Sequence, residues 1–330
     1  MYYDYFGLIF EGKLIFIQND PASFCPFVDY SITGVALMKK LTLAKKYLQT
    51  SFGNIAYLEM GSANNPPVLL VHGIPTSSYL WRHVLELLQN DFHCYAPDLM
   101  GLGDTKVDPD SDNFHMDAQA DMLIEFMASL GCERFSVICH DQGSAAVQII
   151  AARNPEKINC LVITDSVCYD NWPVPRIKNL QSLIRNVPML AFLLTKIGFF
   201  EWRETKTRFS NFRQAMFDPH RMSNETIREY LRPGRSSWKN FNRFKKFLLA
   251  GDSKYTMKAV LGLKKFNKPT MIIWAADDRE LSPSWGKKLF NDIPGANRFE
   301  LIPFCGHFWQ EEKPGEFATL IREFLADNCK

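Results

Sequence analysis

The stretch Phe135-Ser136-Val137-Ile138-Cys139-His140-Asp141-Gln142-Gly143-Ser144 passes from an apolar, β-branched run into a tight turn, and the helix-favouring Ala145-Ala146-Val147-Gln148-Ile149-Ile150 follows at once. Small residues stand two before and two after Asp141. Only such neighbours let a strand and a helix approach closely enough for the turn between them to push one side chain out above a sheet. The residue at the apex then decides the chemistry. A serine there attacks acyl carbons, whereas a carboxylate attacks a saturated carbon bearing a leaving group and becomes half of an ester that water must later cleave. The same residues also fit an ordinary strand-to-helix turn with Asp141 as its N-cap.

The chain around this turn alternates. Extended runs are expected at Lys46 to Thr50, Ile55 to Met60, Pro67 to Val71, His93 to Ala96, Phe135 to Cys139, Asn159 to Thr164, Thr270 to Trp274 and Arg298 to Ile302. The first two are separated by Gly53-Asn54, a hairpin-type signal. Helical patterns such as Met116 to Leu130 lie between several of the others. Strands alternating with helices imply a mostly parallel sheet covered on both faces, and ligands of such sheets bind at the C-terminal ends of the strands. The Asp141 turn and His72-Gly73-Ile74-Pro75 both fall there.

Residues 167–262 break the alternation. They hold helical patterns at Ile177 to Ile184, Met189 to Ile197, Asn224 to Tyr230 and Phe241 to Leu249, punctuated by prolines at 173, 175, 188, 219 and 233, and read as a helical cap inserted after the sixth strand. Lys and Arg exceed Asp and Glu in this segment by more than about two to one. That excess fits a basic rim facing an anionic substrate or a membrane surface, and equally fits solvated helix faces. The expected division is a core of 41–166 and 263–330, the cap of 167–262, and an extension of 1–40 whose structure the sequence does not specify.

The extension is aromatic and apolar, but Asp4 and Glu11 interrupt it; it is too short to span a bilayer and lacks the basic lead of a signal peptide. Met38 is an alternative start. With 330 residues, 46% hydrophobic, 22% charged and a net charge of +2, the chain suits one large domain with an insertion and is poorly suited to binding nucleic acid. The eight cysteines, at 25, 94, 132, 139, 160, 168, 305 and 329, have no zinc or redox spacing and are expected to be reduced thiols of a cytoplasmic protein. No metal cluster or phosphate-binding loop is apparent, and no cofactor is expected. Oligomeric state is not readable.

Two further segments complete a candidate site. Asp277-Asp278 closes the strand Met271-Ile272-Ile273-Trp274, where a carboxylate can orient an imidazole, and Phe304-Cys305-Gly306-His307 follows the last strand and supplies one. Nucleophile Asp141, acid Asp278 and base His307 occur in the chain order of an α/β-hydrolase triad. Asp165 ends the run Cys160-Leu161-Val162-Ile163-Thr164. His72 and His140 are expected to hold loops around the site.

The blocks His72-Gly73-Ile74-Pro75-Thr76-Ser77-Ser78-Tyr79-Leu80-Trp81-Arg82, Asp98-Leu99-Met100-Gly101-Leu102-Gly103-Asp104-Thr105 and His140-Asp141-Gln142-Gly143-Ser144 resemble those of haloalkane dehalogenases and, more loosely, epoxide hydrolases. The resemblance runs from about Leu41 to the C-terminus and is weakest in the cap. It implies the α/β-hydrolase fold, in its aspartate-nucleophile branch, with an eight-stranded sheet. It also implies a small apolar organic substrate, an alkyl-enzyme ester on Asp141, hydrolysis of that ester by water activated by His307, and an oxyanion hole made by the backbone N–H groups of Ile74 and Gln142. It further implies Asp165 as the alternative acid to Asp278, since some dehalogenases take the acid from that strand end. The chain departs from the dehalogenases where a halide-binding tryptophan usually follows the nucleophile: it has Gln142, and after His72-Gly73 it has Ile74 instead of asparagine. Trp81, Trp172 or Trp238 are expected to compensate if one reaches the pocket. Epoxide opening needs tyrosine hydroxyls, for which Tyr169, Tyr230 and Tyr255 are candidates. A pocket retained only to bind a ligand, without catalysis, is a further reading.

Overall fold

The computed structural model describes residues 44–108, 110–111 and 113–328, together with the backbone of strands at 6–10 and 13–17. Those two strands, β1 (Phe6–Phe10) and β2 (Lys13–Ile17), pair antiparallel in a compact unit of their own, Met1–Thr42. Met38 lies outside the described residues.

The second unit, Leu43–Lys330, carries an eight-stranded sheet. In chain order its strands are β3 (Lys46–Thr50), β4 (Gly53–Met60), β5 (Pro67–Val71), β6 (His93–Pro97), β7 (Phe135–Asp141), β8 (Ile158–Ser166), β9 (Thr270–Ala275) and β10 (Ala296–Ile302). They lie in the order β10-β9-β8-β7-β5-β6-β4-β3; β4 runs antiparallel to both β3 and β6, and every other pairing is parallel. All eight expected runs are strands. The hairpin signal is displaced by two residues, because Ser51 and Phe52 make the turn while Gly53 and Asn54 already pair with Thr50 and Gln49. Gly53 is needed there for another reason: its φ is +134°, and a Cβ would overlap the Lys106 carbonyl, which accepts the Asn54 N–H.

Because side chains alternate along a strand, each central strand feeds two cores. Leu69, Val71, Val137, Ile163, Ile272 and Trp274 face one layer, where α2 (Met116–Ser129) and α3 (Gly143–Arg153) pack. Val68, Leu70, Ile138, Val162, Met271 and Ile273 face the other, where α1 (Arg82–Leu88) packs. Full burial of each such side chain contributes about 1.5–3 kcal/mol, which ties the register of every central strand to the alternation of its apolar residues.

Seven helices lie between β8 and β9: α4 (Pro175–Asn186), α5 (Pro188–Lys196), α6 (Phe199–Lys206), α7 (Asn211–Gln214), α8 (Asn224–Ser236), α9 (Trp238–Ala250) and α10 (Lys254–Leu263). Pro175 and Pro188 begin α4 and α5, where a missing N–H costs nothing. Pro233 does not end its helix but sits inside α8. The last helix of the set, α10, lies along α3, with Gly262 so close to Ala152 that a Cβ would overlap it. The chain then closes with α11 (Pro283–Asp292), the single turn α12 (Trp309–Glu312) and α13 (Pro314–Asn328); α13 lies against α1.

Five cysteines, Cys94, Cys132, Cys139, Cys168 and Cys305, are free thiols, as expected. Cys160 is not: it is disulfide-bonded, which corrects the expectation for that residue. No helix among the described residues is long and apolar enough to cross a membrane.

Candidate active site

Parallel β5, β7, β8 and β9 end at the same edge of the sheet, and the candidate residues meet there. Asp141 closes β7 with φ +51°, a left-handed conformation that an aspartate tolerates only in a turn held on both sides. Two glycines permit it. A Cβ on Gly73 would overlap the Asp141 carboxylate, and one on Gly143 would overlap the His72 carbonyl, so loop, turn and helix interlock only with hydrogen at both positions.

The Asp141 carboxylate has two distinct oxygens. Oδ1 accepts the backbone N–H of Ile74 at 2.8 Å. Oδ2 faces Nε2 of His307 at 3.6 Å, beyond hydrogen-bond length. Burial opposes the charged form of Asp141, but His307, His140 and the backbone N–H of Gln142 outweigh it and hold the carboxyl below its ordinary range. His307 donates from Nδ1 to Oδ2 of Asp278 at 2.9 Å, while Oδ1 of Asp278 accepts the N–H groups of Glu280 and Leu281. Burial works against the imidazolium, yet Asp278 and Asp141 on its two sides raise the His307 pKa well above 6.5.

Asp165 occupies the end of β8 with φ +37°. Its Oδ1 accepts the N–H of Ala275, its Oδ2 is buried without a partner, and its carboxylate lies with those of Asp278 and His307's ring within a group of ligand atoms 4.8 Å or less apart. Burial and then the neighbouring Asp278 raise its pKa well above the ordinary carboxyl value. It lies behind the Asp278–His307 pair, where burial and Asp278 favour its protonated form, and it is tied to β9 through Ala275. Asp277 does not cap the following helix; Ser282 does, accepting the Ser284 N–H.

Both supporting histidines are neutral. His72 bonds the Gly73 carbonyl through Nδ1 and accepts the Leu99 N–H at Nε2, and burial lowers its pKa to about 4. His140 donates from Nε2 to the His307 carbonyl, and burial lowers its pKa to about 3. The His307 loop is also fixed from outside the sheet: its N–H donates to the Ala215 carbonyl, and Glu312 accepts the N–H groups of both Gly306 and Asp218. These insert-to-loop bonds have no signature in the sequence, because their partners lie about ninety residues apart.

A cavity of about 520 Å³ opens above Asp141, Gln142 and His307. Its wall is largely apolar, with Leu102, Val167, Ile177, Leu180, Phe212 and Phe308, and its charged members include the pairs Arg176–Glu280 and Arg203–Glu204. Trp172 lines it, but its indole N–H donates to Thr256 Oγ1 at 2.7 Å. Tyr230 lines it too, with its hydroxyl donated to Glu311 at 2.7 Å.

Two expected pocket residues are not in the wall. Trp81 is wholly buried on the α1 face of the sheet, stacked on Phe317, because its position in the Ser78–Trp81 turn points it into that core. Tyr169 stacks on Trp285 and donates its hydroxyl to Asp292. Trp238 and Tyr255 are also absent from the wall; they pack on Phe241 and beside His115. Gln142, the residue after Asp141, also lines the cavity; it is 2% exposed, its amide Nε2 lies against Gly251, and that nitrogen has no hydrogen-bond partner.

This sheet order, with an aspartate at the sharp turn after β7 and a histidine after the last strand, is the architecture of an α/β-hydrolase. The sequence profile described as the alpha/beta hydrolase fold matches residues 66–314, and the chain belongs to that family. It is 26% identical to haloalkane dehalogenase 2 of Mycobacterium bovis over 287 residues, which is 84% of this chain and 93% of that one. It is 29% identical to a soluble epoxide hydrolase of Corynebacterium sp. over 284 residues, covering 82% and 93%. The solved haloalkane dehalogenase from Bradyrhizobium elkani superposes with a TM-score of 0.69 at 21% identity, covering 86% and 99%. The chain is a hydrolase of this superfamily.

Proposed function

We propose that the protein cleaves carbon–halogen bonds of small apolar molecules through an ester on Asp141, with helices α4–α9 as a cap over the cavity. Asp141 Oδ2, the oxygen not held by Ile74, attacks the carbon, and the halide leaves as an anion. Water then attacks the Asp141 carboxyl carbon. The oxygen that becomes negative is Oδ1, already facing the Ile74 N–H with that of Gln142 beside it; such donors contribute about 3 kcal/mol each where they have been removed.

The charges around His307 suit this order. In the resting state two carboxylates keep its proton on. Ester formation neutralises Asp141, removes one of them, and frees Nε2 to take a proton from water while Asp278 holds Nδ1.

The observation that carries the choice of substrate is the lack, among the described residues, of a free phenol in the cavity wall. Opening an epoxide makes an alkoxide that needs a proton, and the hydroxyl of Tyr230 is bonded to Glu311, with Tyr169 and Tyr255 outside the wall. A halide needs no proton. It needs a donor, and Gln142 brings an unpartnered amide N–H to the residues that line the cavity. The epoxide reading keeps one support, the ring of Tyr230 in the wall, and requires that its hydroxyl leave Glu311.

The test is a panel of bromo- and iodoalkanes and of epoxides, read by halide release and diol formation. A His307→Asn variant is run in parallel and digested for mass spectrometry. Halide release, with an alkyl adduct on the Asp141 peptide of the variant, is expected. Diol without halide would establish the epoxide reading, and neither turnover nor adduct on any substrate would favour a ligand-binding protein.

A further inference from the structure

The helices that wall the cavity on one side expose apolar side chains on the other. On α5, Ala191 is buried and its neighbours Met189, Leu190, Leu193 and Ile197 are 65%, 49%, 54% and 66% exposed. Gly198, with φ +83°, turns the chain into α6, where Phe199 and Trp202 are 40% and 56% exposed with rings 6.0 Å apart. The result is one continuous helical hairpin with an apolar outer face. Isolated exposed apolar residues are ordinary, but a contiguous face of this kind marks a contact surface.

The charge around that face specifies the partner. Residues 174–214 contain eight Lys and Arg but two acids, Glu201 and Glu204. Both acids are already matched by arginines, Glu201 by Arg228 and Arg235, Glu204 by Arg203. Arg185, in the last turn of α4 just before α5, and Lys206 and Arg208, at and just beyond the end of α6, are exposed, so the hairpin is flanked by cations at both ends. Apolar and aromatic residues bordered by Lys and Arg, on helices too short to span, are the features of a helix that lies in the headgroup layer of an anionic bilayer. A second protein copy would set this cationic border against itself.

We propose that the α5–α6 hairpin docks the protein on anionic lipid surfaces, with Leu190, Leu193, Ile197, Phe199 and Trp202 entering the interface and Arg185, Lys206 and Arg208 meeting the headgroups. Ala191 and Thr195 of α5 and Phe200 of α6 line the cavity, so docking sets the cavity wall beside the acyl region. The docking does not depend on which bond Asp141 attacks.

The test is flotation of the full chain with vesicles of phosphatidylcholine alone or with about one third phosphatidylglycerol, at low and high salt. Binding is expected on the anionic vesicles and should weaken with salt. The triple variant Leu190→Glu, Leu193→Glu, Ile197→Glu should lose at least about tenfold in partitioning. Its melting temperature should be unchanged, because these side chains are exposed. Lys206→Gln with Arg208→Gln should reduce binding to anionic vesicles alone, by about fivefold per charge. No binding to either vesicle, or binding that survives the triple variant, overturns the proposal. So does an oligomer in light scattering that the triple variant dissolves, which would make the face a contact between copies.

Discussion

The C-terminal edge of the sheet and the helices that follow β8 solve opposite problems. At the edge fixed bonds hold the triad residues: Asp141 Oδ1 by Ile74, Asp278 by Glu280, Leu281 and His307, and the His307 carbonyl by His140. The α5–α6 hairpin instead leaves Met189, Leu193 and Ile197 more than half exposed. Fixed donors and acceptors at the edge preorganise a reaction, because nothing need reorient when charge develops. The hairpin's side chains are not held by the protein's own core, so their surroundings can change without disturbing that edge. Chemistry and access are thereby assigned to separate parts of the chain.

That separation fails most visibly if the edge tolerates change. Asp141→Asn should abolish turnover, by about 10⁶-fold, as removal of a nucleophile does in triads that act as a unit. His307→Asn should stop turnover to a similar extent but still allow one equivalent of halide release, because ester formation needs no base. A single-turnover halide assay distinguishes the two. Equal loss of the first turnover in both variants would contradict the assignment of His307 to the second step.

The next largest effect separates the two acids. Asp278→Asn leaves His307 without a carboxylate at Nδ1 and should lower kcat by about 10⁴-fold, the cost of the wrong imidazole tautomer elsewhere. Asp165→Asn keeps the shape of a side chain that makes no hydrogen bond to His307 and should change kcat less than about threefold. Steady-state kinetics of both variants decide it. The reverse result would make Asp165 the acid.

Glu311 joins the two regions and tests whether they are mechanically linked. It receives two bonds of 2.6 Å from Arg82 on α1 and one from Tyr230 on α8, all three side chains being buried. Glu311→Ala strands the Arg82 guanidinium in that core and should cost about 3–5 kcal/mol, read as a fall in denaturation midpoint. Smaller still is Gln142→Leu, which removes the unpartnered amide donor from the cavity lining. On the halide reading it should slow ester formation by about tenfold to a hundredfold and leave ester hydrolysis unchanged. An unchanged first step would assign the leaving group to another donor.

The same contrast governs what could be read from the chain. All eight strands of the large sheet were legible from local patterning, and the meeting of Asp141, Asp278 and His307 from strand ends and chain order, whereas the contact of Ile74 came only with the family resemblance. Trp81 and Tyr169 were misplaced: an aromatic side chain suits a core, a cavity or a surface equally, and long-range packing chooses among them. The helices α6, α7 and α10 went unseen for a related reason. The segment Phe199–Lys206 has no apolar stripe of helical period, α7 is a single turn, and α10 takes its burial from α3. The insert-to-loop bonds of Glu312 are tertiary facts with no local trace.

The least of the expected effects concerns proton linkage at the edge. The folded pKa of His307 is raised above its unfolded value of 6.5 by Asp278 and Asp141. Protonated His307 therefore adds stability that is fully present below that unfolded value and is lost as pH rises through the raised folded one. Asp141 runs the other way: its depressed pKa adds stability above 3.8 that disappears as pH falls through the lower folded value. In Asp141→Asn one of the carboxylates holding the His307 proton is gone, so the folded pKa of His307 must drop. Melting temperatures followed from pH 6 to 9 should then decline less in the variant than in the wild type, and NMR titration of the His307 ring should show the lowered midpoint directly. Parallel pH profiles of stability would mean that the 3.6 Å approach of Asp141 to His307 carries no charge coupling, and with it would go the switch that frees the base once the ester has formed.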